Sequence, residues 1–471
     1  MSATAEQVLT VTAPASKSLS HRYCIGAALA RGQSTLRHIL NSADLACTRT
    51  ILEAVGVRFT PLPEEDSWQV EGIGQAPQGG QGKALVCNVG ESGTTCRLLT
   101  AVLAAGQGLF HIYGEGRMHE RPLDDLCRAL TGLGAGIVYE KKLHCPPLLL
   151  QAGGLNPHMV DGVSCIGMDY SSQFFSGLLL AAPLASAPLT IELGGTKAVS
   201  WPYVGLTLQC LEDFGISFSV ESRHKIRDTN SPWQVLSPTE WRSLDDAQPG
   251  CLRVRITPGP YRSGNFCVEG DWSGASYFLA AGALGQRPVK VCGLRADTLQ
   301  GDRVMLDILE RMGAHFELEN DTVTVFPSTL HGVSLDMGAC PDLVPTVAVL
   351  ASFATGSTRI SNVAHLRIKE SDRINAPACE LAKLGVMIDQ LSDGMLINGT
   401  GGLVGHEHSR LHTPRLPAGV MLSTHNDHRM AMSLALLELR DPSLHVRDRL
   451  DDPSVVRKSF PQFWDVWSHL L

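Results

Sequence analysis

The sequence predicts an α/β protein of two domains, each made of three repeated β/α units (six in all). Buried helices are expected inside, sheets and further helices outside, and a cleft between the domains. Three observations carry that expectation. Leu-x-x-apolar-Gly-apolar recurs five times, at 52–57, 130–135, 211–216, 309–314 and 381–386. Six segments rich in Ala, Gly and Leu, with polar starts, alternate with these copies at 18–32, 92–106, 171–185, 273–285, 342–356 and 426–439. The spacing between the third and fourth copies is the longest, which marks a crossover between two halves.

Each repeated copy ends an amphipathic stretch such as Asp302-Arg-Val-Met-Leu-Asp-Ile-Leu-Glu-Arg-Met312. Each is followed by alternating residues, as in Ala135-Gly-Ile-Val-Tyr-Glu140. Gly suits the left-handed residue that closes a helix, and alternation suits a half-buried strand. The Ala/Gly/Leu-rich helices are apolar on most sides, so they belong in a buried layer, with the charged helices on the surface. The last surface helix is expected at 453–471, with no closing Gly. The result is six strand–buried helix–strand–surface helix units of roughly 70–100 residues, longer than a solenoid period of about 20–50. Extra length falls at 221–264, around Asn230-Ser-Pro-Trp233, Asp245-Asp246 and Pro258-Gly-Pro260, and reads as an insertion.

A chain of 471 residues suits two large domains or three average ones. Its 44% hydrophobic and 18% charged composition excludes a disordered or fibrous chain. With 39 Lys+Arg against 47 Asp+Glu the net charge is −8, which argues against nucleic acid or an anionic membrane as partner. Thirteen cysteines without a single C-x-x-C pair point to reduced thiols and a cytoplasmic protein. Residues 1–7 lack the pattern of a signal peptide, and the most apolar stretch, 174–184, is too short to span a bilayer.

The polar starts of the buried helices collect the chemistry. They read Ser16-Lys17-Ser18-Leu-Ser20-His-Arg22, Glu91-Ser92-Gly93-Thr94-Thr95-Cys-Arg97, Ser171-Ser172-Gln173, Gly270-Asp271-Trp-Ser273, Cys340-Pro341-Asp342 and Asn426-Asp427-His428-Arg429. Ser, Thr and Asp there are explained as N-caps. Lys17, Arg22, Arg97 and Arg429 are not, because a cation at a helix start opposes the dipole unless it meets an anion. Loops add Arg117-Met-His-Glu-Arg121-Pro122, Arg367-Ile-Lys369-Glu370-Ser-Asp-Arg373 and Arg457-Lys458. The second of these also reads as a solvated salt-bridge face. Gly90-Glu-Ser-Gly93-Thr94 lacks the Gly-Lys-Ser/Thr ending of a nucleotide loop, and there is no dinucleotide fingerprint. His406, His408, His412, His425 and His428 lack metal-ligand spacing, so no metal is expected.

Taken in order, these motifs, with Ser200-Trp-Pro202-Tyr203, closely resemble the EPSP synthase (3-phosphoshikimate 1-carboxyvinyltransferase) family from about Val8 to the C-terminal helix. The resemblance implies a six-fold β/α repeat whose domains comprise 1–15 with 268–471, and 16–267. It implies transfer of the enolpyruvyl group of phosphoenolpyruvate to the 5-hydroxyl of shikimate 3-phosphate, through a tetrahedral ketal, with release of phosphate. Lys17, Gly93, Arg121, Gln173, Arg373, Arg429 and Lys458 are then expected at phosphoenolpyruvate. Lys17, Ser18, Arg22, Ser171, Ser172, Gln173, Ser200, Tyr203, Asp342, His365 and Lys369 are expected at shikimate 3-phosphate. Asp342 would deprotonate the 5-hydroxyl and Glu370 protonate the methylene carbon, with Lys17 sharing the proton work. No cofactor is implied, and a monomer is expected. Ala15, Glu91 and Leu98 stand where many members of the family have Gly, Asn and Pro.

Two alternatives compete. The sister transferase acting on UDP-N-acetylglucosamine shares the fold and donor, but its usual loop Cys has no counterpart here. A non-catalytic binding homologue would have little reason to keep Lys17, Asp342, Glu370 and Arg429 together.

Overall fold

A computed structural model describes residues 8–223, 231–244, 247–401, 416–441 and 444–471. The chain divides into two compact units, Lys17–Val268 and Met1–Ser16 with Glu269–Leu471.

Lys17–Val268 holds three sheets. The first runs Asn265–Cys267, Arg31–Arg37, Trp68–Ile73, Arg58–Pro61, and the second Leu85–Asn88, Gln107–Tyr113, Leu148–Gly153, Gly136–Tyr139. The third runs Val163–Met168, Leu189–Ala198, Leu252–Ile256, Phe218–Ser222, Gln234–Val235. The other unit has two sheets among the described residues. They run Leu9–Thr12, Val289–Cys292, Thr322–Phe326, His315–Glu319, and Ser334–Asp336, Ser357–Ser361, Met395–Asn398, Met387–Gln390. In all five, the first pair is parallel and the next two pairings are antiparallel. The topology therefore repeats along with the sequence. The part of the sixth unit that precedes its buried helix runs through 402–415, outside the described residues. Part of the 221–264 insertion, 224–230 and 245–246, also lies outside them; the rest adds the Gln234–Val235 strand and the short Pro238–Arg242 helix.

The five repeated glycines all have positive φ: Gly56 (104°), Gly134 (105°), Gly215 (72°), Gly313 (90°) and Gly385 (83°). After each, the amide of the following apolar residue donates to the carbonyl of the repeat's first Leu: Val57 to Leu52, Ala135 to Leu130, Ile216 to Leu211, Ala314 to Leu309, Val386 to Leu381. That bond closes a Schellman cap, and the two apolar residues it joins explain why the motif begins and ends apolar. The strand that follows is then launched back along the helix.

The buried helices form as Lys17–Leu29, Gly93–Ala104, Gln173–Ala181, Trp272–Leu284, Val344–Phe353 and His428–Ala435. All residues of Val344–Phe353 and twelve of Trp272–Leu284 are buried, as an all-round apolar helix requires. One expectation fails. The segment 453–471 is not one helix but a 3-10 turn, Pro453–Lys458, and a separate helix, Phe463–Ser468. Pro461 between them cannot donate a backbone hydrogen bond and disfavours helical geometry at the residue before it. The break carries Phe460 and Phe463 inward onto Phe278, Phe460 edge-on and Phe463 stacked. It also leaves Lys458 at the end of a turn.

Candidate active site

In Lys17–Val268 most of the expected residues lie at the starts of three buried helices; Arg121 follows the 3-10 turn Gly116–Glu120, and Ser200 and Tyr203 lie at the start of the Pro202–Asp213 helix. Ser92 caps the Gly93–Ala104 helix by accepting from the Thr95 amide at 3.1 Å. Ser172 makes no such cap, and the Ser171 hydroxyl accepts from the Gln173 amide at 3.2 Å. Gln173 links two helices: its Nε2 donates to Thr94 Oγ1 at 2.8 Å, and its Oε1 accepts from Arg97 Nη1 at 2.7 Å. Arg97 lies at the helix start for this reason as well as for its position over the Phe174 ring.

Gly93 and Arg121 are in close approach. A Cβ on Gly93 would sit 2.4 Å from Arg121 Nη2, so glycine leaves the guanidinium its place beside this helix start. Lys17 pairs with Asp44 at 2.6 Å. Arg22 is buried, and most of its donors are occupied. Nε donates to Thr207 Oγ1 at 2.8 Å, Nη1 to the Ser18 carbonyl at 2.7 Å, and Nη2 to the Tyr203 carbonyl at 2.9 Å. Burial brings its pKa down to about 10, which leaves it charged at neutral pH. Arg22 thus ties the Ser18 and Tyr203 segments together. Ser200 is buried with φ 55°, an uncommon conformation that sets the turn into Trp201 and the Pro202–Asp213 helix. His21, packed against Thr48, has its pKa held well below 6.5, by burial first and then by Lys17 and Arg22.

In the other unit a charge cluster surrounds Asp342. Arg373 Nη1 donates to Asp342 Oδ1 at 2.8 Å and Arg429 Nη2 to Oδ2 at 2.7 Å, so one carboxylate bridges two guanidinium groups. Arg373, 2% exposed, also meets Glu370 at 3.0 Å and Asp427 through Nε and Nη2 at 2.7 and 3.1 Å. The dense run 367–373 is therefore not a solvated face: its last Arg is enclosed by three carboxylates. Burial alone would raise the Asp342 carboxyl, but the charges of Arg429, Arg373 and Lys369 outweigh it and hold it below the usual range. Burial would likewise lower Arg373, and the surrounding carboxylates raise it instead.

Lys458 Nζ donates to the Asn426 carbonyl at 2.8 Å and to its Oδ1 at 3.2 Å. His365 is buried in the 3-10 turn Ala364–Ile368 that leads into Lys369 and Glu370.

Sequence reading missed several partners. Asp427 read only as an ordinary helix-start residue and Asp44 carried no signal of its own, and nothing local told which cation each would meet. Asp302, buried in the turn Gly301–Val304, accepts from the Ser273 hydroxyl. Burial, then the charge of Asp342, pushes its carboxyl up to about 7. Of the five closely spaced histidines, His406, His408 and His412 lie outside the described residues. No cluster of three or more His, Cys, Asp or Glu suited to a metal occurs among the described residues. All thirteen cysteines are free thiols. No helix among the described residues is long and apolar enough to cross a membrane.

The family model for EPSP synthase (3-phosphoshikimate 1-carboxyvinyltransferase) matches residues 2–248 and 245–467. The 3-phosphoshikimate 1-carboxyvinyltransferase of Shewanella sediminis is 36% identical over 461 residues, covering 98% of this chain and 96% of its own. That of Laribacter hongkongensis is 37% identical over 466 residues, with coverage of 98% and 96%. Among solved structures, the EPSP synthase of Acinetobacter baumannii has the same fold, with TM-score 0.70 at 23% identity over 99% of this chain and 96% of that one. The enolpyruvyl transferase NikO of Streptomyces tendae matches with TM-score 0.68 at 16% identity, covering 98% and 94%.

Proposed function

The chain belongs to the EPSP synthase (3-phosphoshikimate 1-carboxyvinyltransferase) family, and we propose that its helix-start cations and the Asp342 cluster are the machinery of that reaction. The enzyme transfers the enolpyruvyl group of phosphoenolpyruvate to the 5-hydroxyl of shikimate 3-phosphate and releases phosphate. It thereby serves the shikimate pathway to the aromatic amino acids.

One observation carries the site assignment: Asp342 bridges Arg373 and Arg429. A carboxylate so held is a weak base. Phosphoenolpyruvate brings a carboxylate and a phosphate that compete for the same two guanidinium groups. Charge-assisted hydrogen bonds to them contribute about 1.5–3 kcal/mol each. As the substrate takes up the arginines, Asp342 loses the charges that depress it and becomes basic enough to accept the 5-hydroxyl proton. Glu370, paired with Arg373, delivers a proton to the methylene carbon. In the collapse of the ketal a methyl proton returns to Glu370, the double bond re-forms and the C–O bond to phosphate breaks; phosphate leaves toward Lys17, Arg121 and Lys458 with the proton held by Asp342.

Shikimate 3-phosphate is assigned to Ser18, Ser171, Ser172, Gln173, Ser200, Tyr203, His365 and Lys369. Lys17 and Arg22 supply charge, Arg22 acting mainly through the segments it joins. Gly93 and Gln173 border the phosphoenolpyruvate position. Thirteen free thiols support a cytoplasmic location, and the chain is read as a monomer.

The test is phosphate release from phosphoenolpyruvate by the wild type and by Asp342→Asn. Shikimate 3-phosphate should drive release and UDP-N-acetylglucosamine should not. The variant should lose about 10²–10⁴-fold in kcat, the range for a lost general base. Near-normal turnover would remove Asp342 from the proton-transfer role.

A further inference from the structure

Just ahead of the His428–Ala435 helix the chain passes through two consecutive non-glycine residues with positive φ, His425 (51°) and Asn426 (55°). Two successive L-residues in this conformation are uncommon and need support from their surroundings. Two carboxylates hold the loop around it.

Glu380, 2% exposed on the Asn375–Ala382 helix, reaches the loop from one side. Its Oε2 accepts from the Ser423 amide at 2.8 Å and from Lys383 Nζ at 2.6 Å, and its Oε1 lies 2.9 Å from His425 Nε2. Asp451 holds the other side, accepting from the Thr424 amide at 2.8 Å, Thr424 Oγ1 at 2.9 Å and Ser423 Oγ at 2.6 Å. The loop so fixed offers the Asn426 carbonyl and Oδ1 to Lys458, and leads directly into Asp427 and Arg429.

We propose that Glu380 is a positioning residue for phosphoenolpyruvate, acting through the 423–427 loop on Lys458, Asp427 and Arg429. This rests on the assignment of Lys458 and Arg429 to that substrate. Glu380 itself faces the loop backbone, His425 and Lys383, and is given no contact with substrate. Burial alone would raise its carboxyl, but the hydrogen bonds from His425, Lys383 and the Ser423 amide outweigh this and lower it. Glu380 therefore stays ionised at neutral pH, with its acceptor oxygens available to the loop.

Steady-state kinetics on the full chain separate positioning from a role in folding alone. Glu380→Gln should raise KM for phosphoenolpyruvate about tenfold or more, with KM for shikimate 3-phosphate within about twofold of wild type. Glu380→Asp, which keeps the charge, should recover part of the loss. Asp451→Asn should shift KM in the same direction and carries the test if Glu380→Gln folds poorly, because Asp451 is exposed. Lys458→Gln should also raise KM for phosphoenolpyruvate, and the double variant with Glu380→Gln should raise it by less than the product of the two single effects, because both act in part through the Lys458 contact. If Lys458→Gln raises KM while Glu380→Gln and Asp451→Asn lower only thermal stability, the positioning role is overturned. An unchanged KM in Lys458→Gln is a different result: it overturns the site assignment beneath it.

Discussion

Asp427 is where residue-scale electrostatics can be measured. It is fully buried and receives Arg373 through two donors and the Ser371 hydroxyl through a third. Burial alone would raise its carboxyl; the Arg373 charge and hydrogen bonds outweigh that and hold it at about 2. Because the folded-state value lies below the ordinary 3.8, its contribution to stability is present above about pH 4 and lost as pH falls through about 2. Asp427→Asn leaves Arg373 short of its bidentate partner and should destabilise by about 3–5 kcal/mol at neutral pH. Urea unfolding at pH 7 and again near pH 2 checks this. The gap between variant and wild type should shrink in acid; an equal gap at both would mean that ionisation of Asp427 contributes nothing.

At the scale of elements, the helix caps were the part most legible in the sequence. The Leu-x-x-apolar-Gly-apolar pattern is a list of local demands: two apolar residues that touch across a Schellman cap and a residue free to take positive φ between them. All five copies meet those demands with the same backbone bond. Gly385 gives the cleanest test, because a Cβ there would meet nothing within 4 Å while φ is 83°. Gly385→Ala should therefore cost about 1–2 kcal/mol from backbone strain alone. An unchanged denaturation midpoint would show that the repeat does not depend on glycine there. The break within 453–471 has an equally local cause, Pro461, a residue that neither donates a backbone hydrogen bond nor favours helix at its neighbour. The partners of the helix-start cations were not legible. Lys17 and Arg429 stood out as electrostatic anomalies, yet pairing with Asp44 and Asp342 depends on how distant segments pack.

For the whole molecule, the assigned substrate groups are divided between the two compact units. Ser18, Ser171, Ser172 and Ser200 belong to one, and Asp342, Lys369, Arg373 and Arg429 to the other. On the proposed assignment neither unit by itself holds every group the reaction needs.

The α/β fold class, the recurrence of the β/α unit and the concentration of cations at helix starts were all determined by the sequence by itself. Each is written in local periodicity and in one or two residues at a helix end. Tertiary structure alone decided that Leu9–Thr12 pairs with Val289–Cys292, that Asn265–Cys267 completes the sheet begun by Arg31–Arg37, and that Asp342 lies between Arg373 and Arg429. The reason is physical. A cap or an amphipathic stripe is satisfied within a few turns of chain, whereas the partner of a strand edge or a buried charge is whichever segment the fold brings beside it.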